Sequence, residues 1–348
     1  MNPIIREDVD RIIRDGGKLF DSFRGSTVAV TGPYGMLASY LVFTLIRLNE
    51  TDPDFRVRIL ALGRNEEKLK ARFGPYAEAP YFRFLKTDLN GPIDIEGPVD
   101  YIIHAASFAS PDAYSRDPVG VILPNTAGTL HLLELARKKK SRSLLFFSSG
   151  EIYGAVRSPL ISETEGGFLD PAAVRSCYGE SKRLGETLCA AYAHEYGVPA
   201  KIVRPSHTYG PTMDPEHDTR VFASFVSDAL NGRDIAMTSD GTATRCFIYI
   251  ADATLAYFKV LIDGVPGEAY NVTNPDGVLT IYELALLIAG LVPGKKLNVT
   301  RKAPPEGYMD RGKTAYTRLD TAKLEALGFR CRVSAKEGFT RTLESFRI

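Results

Sequence analysis

The 348-residue sequence has no tryptophan, only four cysteines and only five histidines. Cys177, Cys189, Cys246 and Cys331 stand far apart, with no C-x-x-C pair and no cysteine/histidine cluster at ligand spacing, so neither a disulfide framework nor a metal site is expected. The thiols read as small buried hydrophobes in a reducing compartment. Charge of one sign is missing as well. With 43 Lys+Arg against 42 Asp+Glu there is no overall field to draw nucleic acid or an anionic membrane, and neither is expected as a partner. No run approaches the roughly 18 apolar residues of a membrane span. The opening MNPIIREDVDRIIRDGG is acidic and has no continuous apolar core, so it does not read as a secretory signal, and a cytoplasmic protein is expected. Repeats, low-complexity tracts and flexible linkers are absent, so any second domain must arise as an excursion of one compact fold.

What is present is an ordinary globular composition, 44% apolar and 24% charged, in a chain long enough for two domains of about 150 residues or one lobed one. Apolar, β-rich runs at Ser26–Val30, Val57–Leu62, Tyr81–Leu85, Val99–His104, Ser143–Ser148 and Ala200–Val203 alternate with helix-period segments such as Leu37–Leu48, Thr126–Lys138 and Tyr178–Tyr196. That rhythm specifies an α/β fold of the Rossmann type, a doubly wound parallel sheet covered on both faces with ligands at the carboxyl ends of its strands. Beyond Arg204 turn-rich stretches separate helical patterns at Phe222–Asn231, Asp252–Ile262, Ile281–Ala289 and Ala335–Phe346, which reads as a smaller, mostly helical C-terminal lobe. The expected division is a dinucleotide-binding domain over 1–205, rejoined by a segment near 245–272, and a substrate lobe over 206–244 and 273–348.

Two constellations carry chemistry. In Thr27-Val-Ala-Val-Thr-Gly32-Pro-Tyr-Gly35-Met-Leu-Ala38 a strand runs through a glycine turn into a helix, the context in which backbone N–H groups receive a pyrophosphate. Asp88 after the third strand could accept from an adenine amino group. The second strand ends Leu62-Gly63-Arg64-Asn65, without the acid that grips both ribose hydroxyls of NAD, and Arg64 could meet a 2′-phosphate, so the cofactor reads as NAD with NADP left open. The second constellation is Ser149, closing a strand in Ser148-Ser149-Gly150-Glu151-Ile152-Tyr153-Gly154, with Tyr178 and Lys182 one helical turn apart in Tyr-Gly-Glu-Ser-Lys. An ammonium there is expected to lower the Tyr178 phenol pKa and make the tyrosinate a base.

With His104-Ala-Ala-Ser107, Asn125 and Gly128, Tyr153-Gly154 and Tyr209-Gly210-Pro211 added, residues 26–346 resemble the extended short-chain dehydrogenase/reductases, the NAD-dependent epimerase/dehydratase family. Arg175-Ser-Cys-Tyr-Gly-Glu-Ser-Lys-Arg183, Arg220-Val221 and Asp240-Gly-Thr-Ala-Thr-Arg-Cys-Phe247 are most similar to UDP-glucuronate decarboxylases. The resemblance implies a homodimer acting on a nucleotide-diphosphate sugar through a transient 4-keto state. Tyr178, Ser149, Glu151 and Lys182 would be catalytic. Gly32, Tyr34, Gly35, Met36, Arg64, Asp88, Leu89, Ala105, Ala106 and Ser107 would hold NAD together with Tyr178 and Lys182. Ser107, His207, Arg220, Arg245 and Arg311 would hold the substrate, and no metal is implied. Dehydration or epimerisation are the neighbouring reactions, and a non-catalytic NAD(P)-binding regulator is the reading from another class. Gly150 stands where such relatives carry Asp or Ser, and His207 where many carry Asn.

Overall fold

The computed structural model describes residues 1–301 and 318–347. Twelve strands occur among these: β1 Thr27–Thr31, β2 Arg58–Gly63, β3 Phe82–Lys86, β4 Tyr101–His104, β5 Ser143–Phe147, β6 Ala200–Pro205, β7 His207–Tyr209, β8 Ile235–Met237, β9 Thr244–Tyr249, β10 Ala269–Val272, β11 Val278–Thr280 and β12 Val299–Arg301. Seven of them form one parallel sheet in the order β10-β6-β5-β4-β1-β2-β3. The central strands read as unbroken apolar or small-residue runs because helices cover both faces; every residue of β1, β4 and β5 is buried. From β1 the chain winds to β2 and β3 on one side and returns through β4, β5 and β6 on the other. The switch point between β1 and β4 therefore opens a crevice at the strands' carboxyl ends, with Thr31 paired to both Leu62 and His104.

The expected doubly wound sheet is present, and the expected helices form at 36–51, 127–139, 177–196, 221–230, 250–263, 281–289 and 335–345. Helix 177–196 buries Tyr178, Ser181, Lys182, Gly185 and Cys189, a stripe at three- and four-residue spacing that lies against β5 and β6. The segment after Arg204 is less purely helical than its periodicity indicates. A three-stranded sheet, β11-β9-β7, and the pair β12-β8 run through it, and all of these strands but the six-residue β9 are three residues long, too short for alternation to register.

The N-terminal helix, Pro3–Gly16, is an element the periodicity did not mark. Its inner face carries Ile4, Ile5, Val9 and Ile12, but also Asp8, which is fully buried. Tyr40 and Tyr249 donate to the Asp8 carboxylate and Arg341 pairs with it, so one acid ties the first helix to helix 36–51, to β9 and to the last helix.

Candidate active site

A cleft of about 820 Å³ opens at the carboxyl ends of β1, β4, β5 and β6 and brings together Gly35, Met36, Ala105, Ser107, Ser149, Glu151, Tyr178, Lys182, His207, Arg220 and Arg245. These residues come from distant parts of the chain, and the topology sets each one. β5 ends at Phe147 and delivers Ser148 and Ser149; the turn that follows is fixed by Ser149 Oγ, which accepts from the Glu151 N–H at 3.1 Å. Lys182 reaches under the end of that strand and donates to the Phe147 carbonyl at 2.5 Å.

The Ser149 hydroxyl hydrogen-bonds Tyr178, yet burial dominates and pushes the Tyr178 phenol up to about 12. Burial also pushes Lys182 down to about 7. The expected lowering of the phenol by the ammonium is thus corrected: Lys182 Nζ lies 5.7 Å from the Tyr178 ring centroid, and desolvation sets the direction of the shift. Tyr178 also has a partner the sequence did not disclose. Tyr114 stacks on it with centroids 4.9 Å apart and planes 18° from parallel, and the Arg175 guanidinium sits 4.8 Å from the Tyr114 centroid. Arg175 pairs with Glu151 at 3.2 Å, both about half exposed. Ser149, Glu151, Arg175, Tyr114 and Tyr178 therefore close a ring of contacts around one corner of the cleft.

His207, on β7, lines the same cleft as Arg220 and Arg245. Burial first, then the Arg245 and Arg220 charges, depress its imidazole to about 3, so it is neutral at physiological pH. Arg220 is not a free charge: Asp218 holds its Nε and Nη2 in a fork. Arg245 donates to its neighbour's carbonyl, Thr244 O, at 2.8 Å. Arg311 lies outside the described residues. Gly150 also lines the cleft, and a Cβ there would meet nothing nearer than the Pro205 carbonyl at 3.6 Å, so its lack of a side chain leaves open space beside Ser149 and Glu151.

The glycine turn fits a dinucleotide cofactor on direct grounds. Gly32 has φ +60°, and a Cβ on it would lie 2.9 Å from Ala106 Cα, so only glycine closes this turn against β4. The helix beginning at Met36 has Gly35 as its N-cap with no side chain satisfying its first-turn N–H groups, and these face the cleft. Ser107 Oγ and Ser206 Oγ are buried in the cleft wall without a hydrogen-bond partner, as groups awaiting a ligand are. Tyr34 packs beside Gly63 at the end of β2. Ala106 packs against Gly32, and Arg64, Asp88, Leu89 and Ala106, like Gly32 and Tyr34, do not line the cleft itself. Asp88 is exposed and accepts from the Asn90 N–H, capping its own turn. Leu89 is buried and a Cβ on Gly128 would lie 3.1 Å from its own Cβ. Tyr114, Ser206 and Asp218 are the site residues that no motif marked; only the preceding Ser-Pro helix start pointed to a structured segment at Tyr114.

Beneath the cleft floor Arg204 forms a buried pair with Glu186 at 2.6 Å and donates to the Tyr153 hydroxyl, which in turn donates to Asn271. This network holds the Tyr153-Gly154 segment to β6 and β10. Among the described residues no group of acids, histidines or cysteines is placed to hold a metal, and no helix is long and apolar enough to cross a membrane.

The profile of the NAD dependent epimerase/dehydratase family matches residues 28–273. UDP-glucuronic acid decarboxylase 6 of Arabidopsis thaliana is 34% identical over 325 residues, covering 92% of this chain and 89% of that protein. UDP-glucuronic acid decarboxylase 2 of the same organism is 33% identical over 344 residues, covering 98% of this chain and 73% of that protein. Among solved structures, a dTDP-glucose 4,6-dehydratase from Streptomyces venezuelae with NAD bound superposes with a TM-score of 0.75 at 26% identity, covering 92% of this chain and 97% of that one. A UDP-glucose 4-epimerase from Thermotoga maritima with UDP-glucose gives 0.76 at 25% identity, over 92% and 98%.

Proposed function

Since this chain belongs to the NAD-dependent epimerase/dehydratase family and is an NAD-dependent enzyme, we propose that it acts on a nucleotide-diphosphate sugar through a transient 4-keto sugar, and that the reaction is decarboxylation of a UDP-glucuronate-type substrate. Bound against the glycine turn, NAD supplies a hydride acceptor that later serves as donor, which keeps the overall reaction redox-neutral. Gly32, Gly35 and Met36 would hold its phosphates, with Ala105, Ala106 and Ser107 beside them, and Lys182 its ribose. Tyr178, in its phenolate form, would take the proton of the C4 hydroxyl while Ser149 hydrogen-bonds the same oxygen. A ketone at C4 makes a C6 carboxylate a β-keto acid, which loses CO2 readily, and Glu151, half exposed to the open cleft, would take up a proton from solvent and pass it to the resulting enolate. His207, Arg220 and Arg245 would receive the diphosphate, the arginines by charge and the neutral imidazole by a hydrogen bond.

The observation that carries this reading is a carboxylate, Glu151, held by Arg175 in the same cleft as the Ser149–Tyr178 pair. A hydride-only epimerase gives that carboxylate no chemical task. A dehydratase would use it to remove the C5 proton, and the open space at Gly150 leaves that second reading in play. We also assign the protein to the cytoplasm, supported by four cysteines none of which forms a disulfide, and to a homodimer, supported by exposed apolar side chains Val119, Leu130 and Leu184 on three successive helices. Purified protein incubated with UDP-, dTDP-, GDP- and CDP-sugars, with products weighed by mass spectrometry, tests the reaction. Loss of one CO2 is expected from the UDP-uronate; loss of water or an unchanged mass would transfer the assignment to dehydration or epimerisation.

A further inference from the structure

Among the described residues Phe168 is the most exposed of the large apolar side chains, 72% accessible, and it lines the cleft. The backbone around it is held in place. The Gly167 N–H donates to the Tyr153 carbonyl and the Ala155 N–H to the Phe168 carbonyl, both at 2.9 Å, so residues 167–168 run antiparallel beside 153–155 as a short ribbon. Two glycines allow the close approach: a Cβ on Gly154, whose φ is +61°, would lie 2.5 Å from Phe168 O, and one on Gly167 would lie 2.5 Å from Tyr153 O. Arg183, on helix 177–196, donates from Nε to Ile152 O at 2.8 Å and from Nη2 to Gly167 O at 2.7 Å. It thereby fastens both arms of the ribbon to the helix that carries Tyr178. Leu169 packs on the same helix, since a Cβ on Gly179 would lie 2.8 Å from its Cδ1.

The ribbon thus presents, at a fixed distance from the Tyr178 turn, a ring that the fold itself leaves in water. Phenylalanine is ordinarily among the buried residues, and small-molecule pockets usually combine apolar and aromatic walls with a few placed polar groups. Ala155 and Val156, on the facing arm, line the cleft together with Phe168. A pyranose has the complementary character: its hydroxyls and any carboxylate point outward around the ring, and its faces are C–H groups. Ser149, Glu151 and Tyr178 address the polar edge of such a sugar, and none of them covers a face.

We propose that Phe168 is a substrate-binding residue whose ring packs against the C–H face of the sugar held at Tyr178, so that it distinguishes a nucleotide carrying a pyranose from the bare nucleotide. The proposal rests on the nucleotide-sugar reading above. Because the chain has no tryptophan, Phe168→Trp supplies a single indole reporter, at a position exposed enough to take it. It is placed in a Tyr178→Phe background so that turnover does not start. With NAD+ saturating, UDP-glucuronate should shift the emission to the blue and slow quenching by acrylamide as water leaves the ring, whereas UDP alone should do neither. In the otherwise parental enzyme Phe168→Ala should raise KM for UDP-glucuronate about 5- to 10-fold, the loss of a partly covered apolar ring, with the inhibition constant of UDP changed less than about 2-fold. Phe168→Tyr, which keeps the ring, should stay within about 2-fold of the parent in KM. Equal emission responses to UDP and UDP-glucuronate, or an unchanged KM in Phe168→Ala, would overturn the proposal and leave the nucleotide-sugar reading intact. Emission that turns blue with rising protein concentration and no ligand would overturn it too, showing that a second copy of the chain covers the ring. Failure of the parent protein to bind any nucleotide sugar would remove that reading, and the proposal with it.

Discussion

Tyr114→Ala separates a positioning role for the stacked ring from mere packing. Tyr114 lies 4.9 Å from Tyr178 at 18°, is 4% exposed, and carries Arg175 on its ring. An aromatic pair of this kind contributes about 0.5–1.5 kcal/mol beyond burial. If that energy fixes the Tyr178 phenol, its loss lowers kcat by about 2- to 10-fold, since 1.4 kcal/mol is a factor of ten. The cavity left behind opens onto the cleft and can take up water, so the cost in stability should fall at or below the low end of the roughly 3–5 kcal/mol seen for large-to-small aromatic changes. The water also reduces the burial that holds the phenol at about 12. The pH profile of single-turnover nicotinamide reduction should then level off at lower pH in Tyr114→Ala than in the parent, while Tyr114→Phe, which keeps the stack, stays within about 2-fold in kcat. A Tyr114→Ala enzyme with parental kcat and an unmoved profile would refute the reasoning.

Lys182→Met should change the pH dependence of stability with a defined sign. The folded pKa of about 7 lies below the unfolded value near 10.4. Between these limits the unfolded chain binds the extra proton, so this lysine makes stability rise with pH by up to about 1.4 kcal/mol per unit, and the variant should lack that rise in denaturant titrations at two pH values inside the window. Parallel behaviour of parent and variant would show that Lys182 is not desolvated as the fold places it. Gly32→Ala should abolish dinucleotide binding measured by calorimetry, because its Cβ would meet Ala106 backbone at 2.9 Å and the left-handed conformation adds a further strain of about 1–2 kcal/mol. Undiminished NAD+ affinity would count against the turn as the cofactor cradle.

The parallel sheet was readable because β1, β2, β4, β5 and β6 are four to six residues of largely buried, mostly apolar chain, so pattern and environment agree. The strands β7 and β11 were not, since three residues cannot display alternation and they exist only because β9 supplies their partners. Asp8 hid the first helix for a related reason. A carboxylate in the apolar stripe looks like a break until Tyr40, Tyr249 and Arg341 arrive from distant parts of the chain. In the cleft, the Ser149, Tyr178 and Lys182 set was legible from spacing and motif context. The direction of the Tyr178 shift was not, because it is decided by how much water the completed fold excludes, and the Tyr114 stack depends on a tertiary approach that no local pattern records.

The central claim is that Glu151 does chemistry on a sugar already oxidised at C4, and the most direct measurement is a single turnover of Glu151→Gln followed by absorbance of the reduced nicotinamide. Because Ser149, Tyr178 and Lys182 remain, the account predicts that the reduced form accumulates on adding the UDP-uronate and then persists, with product release at least about 10²-fold slower than in the parent. Conversion at the parental rate, with no persisting reduced form, would contradict it and leave Glu151 as no more than the partner of Arg175.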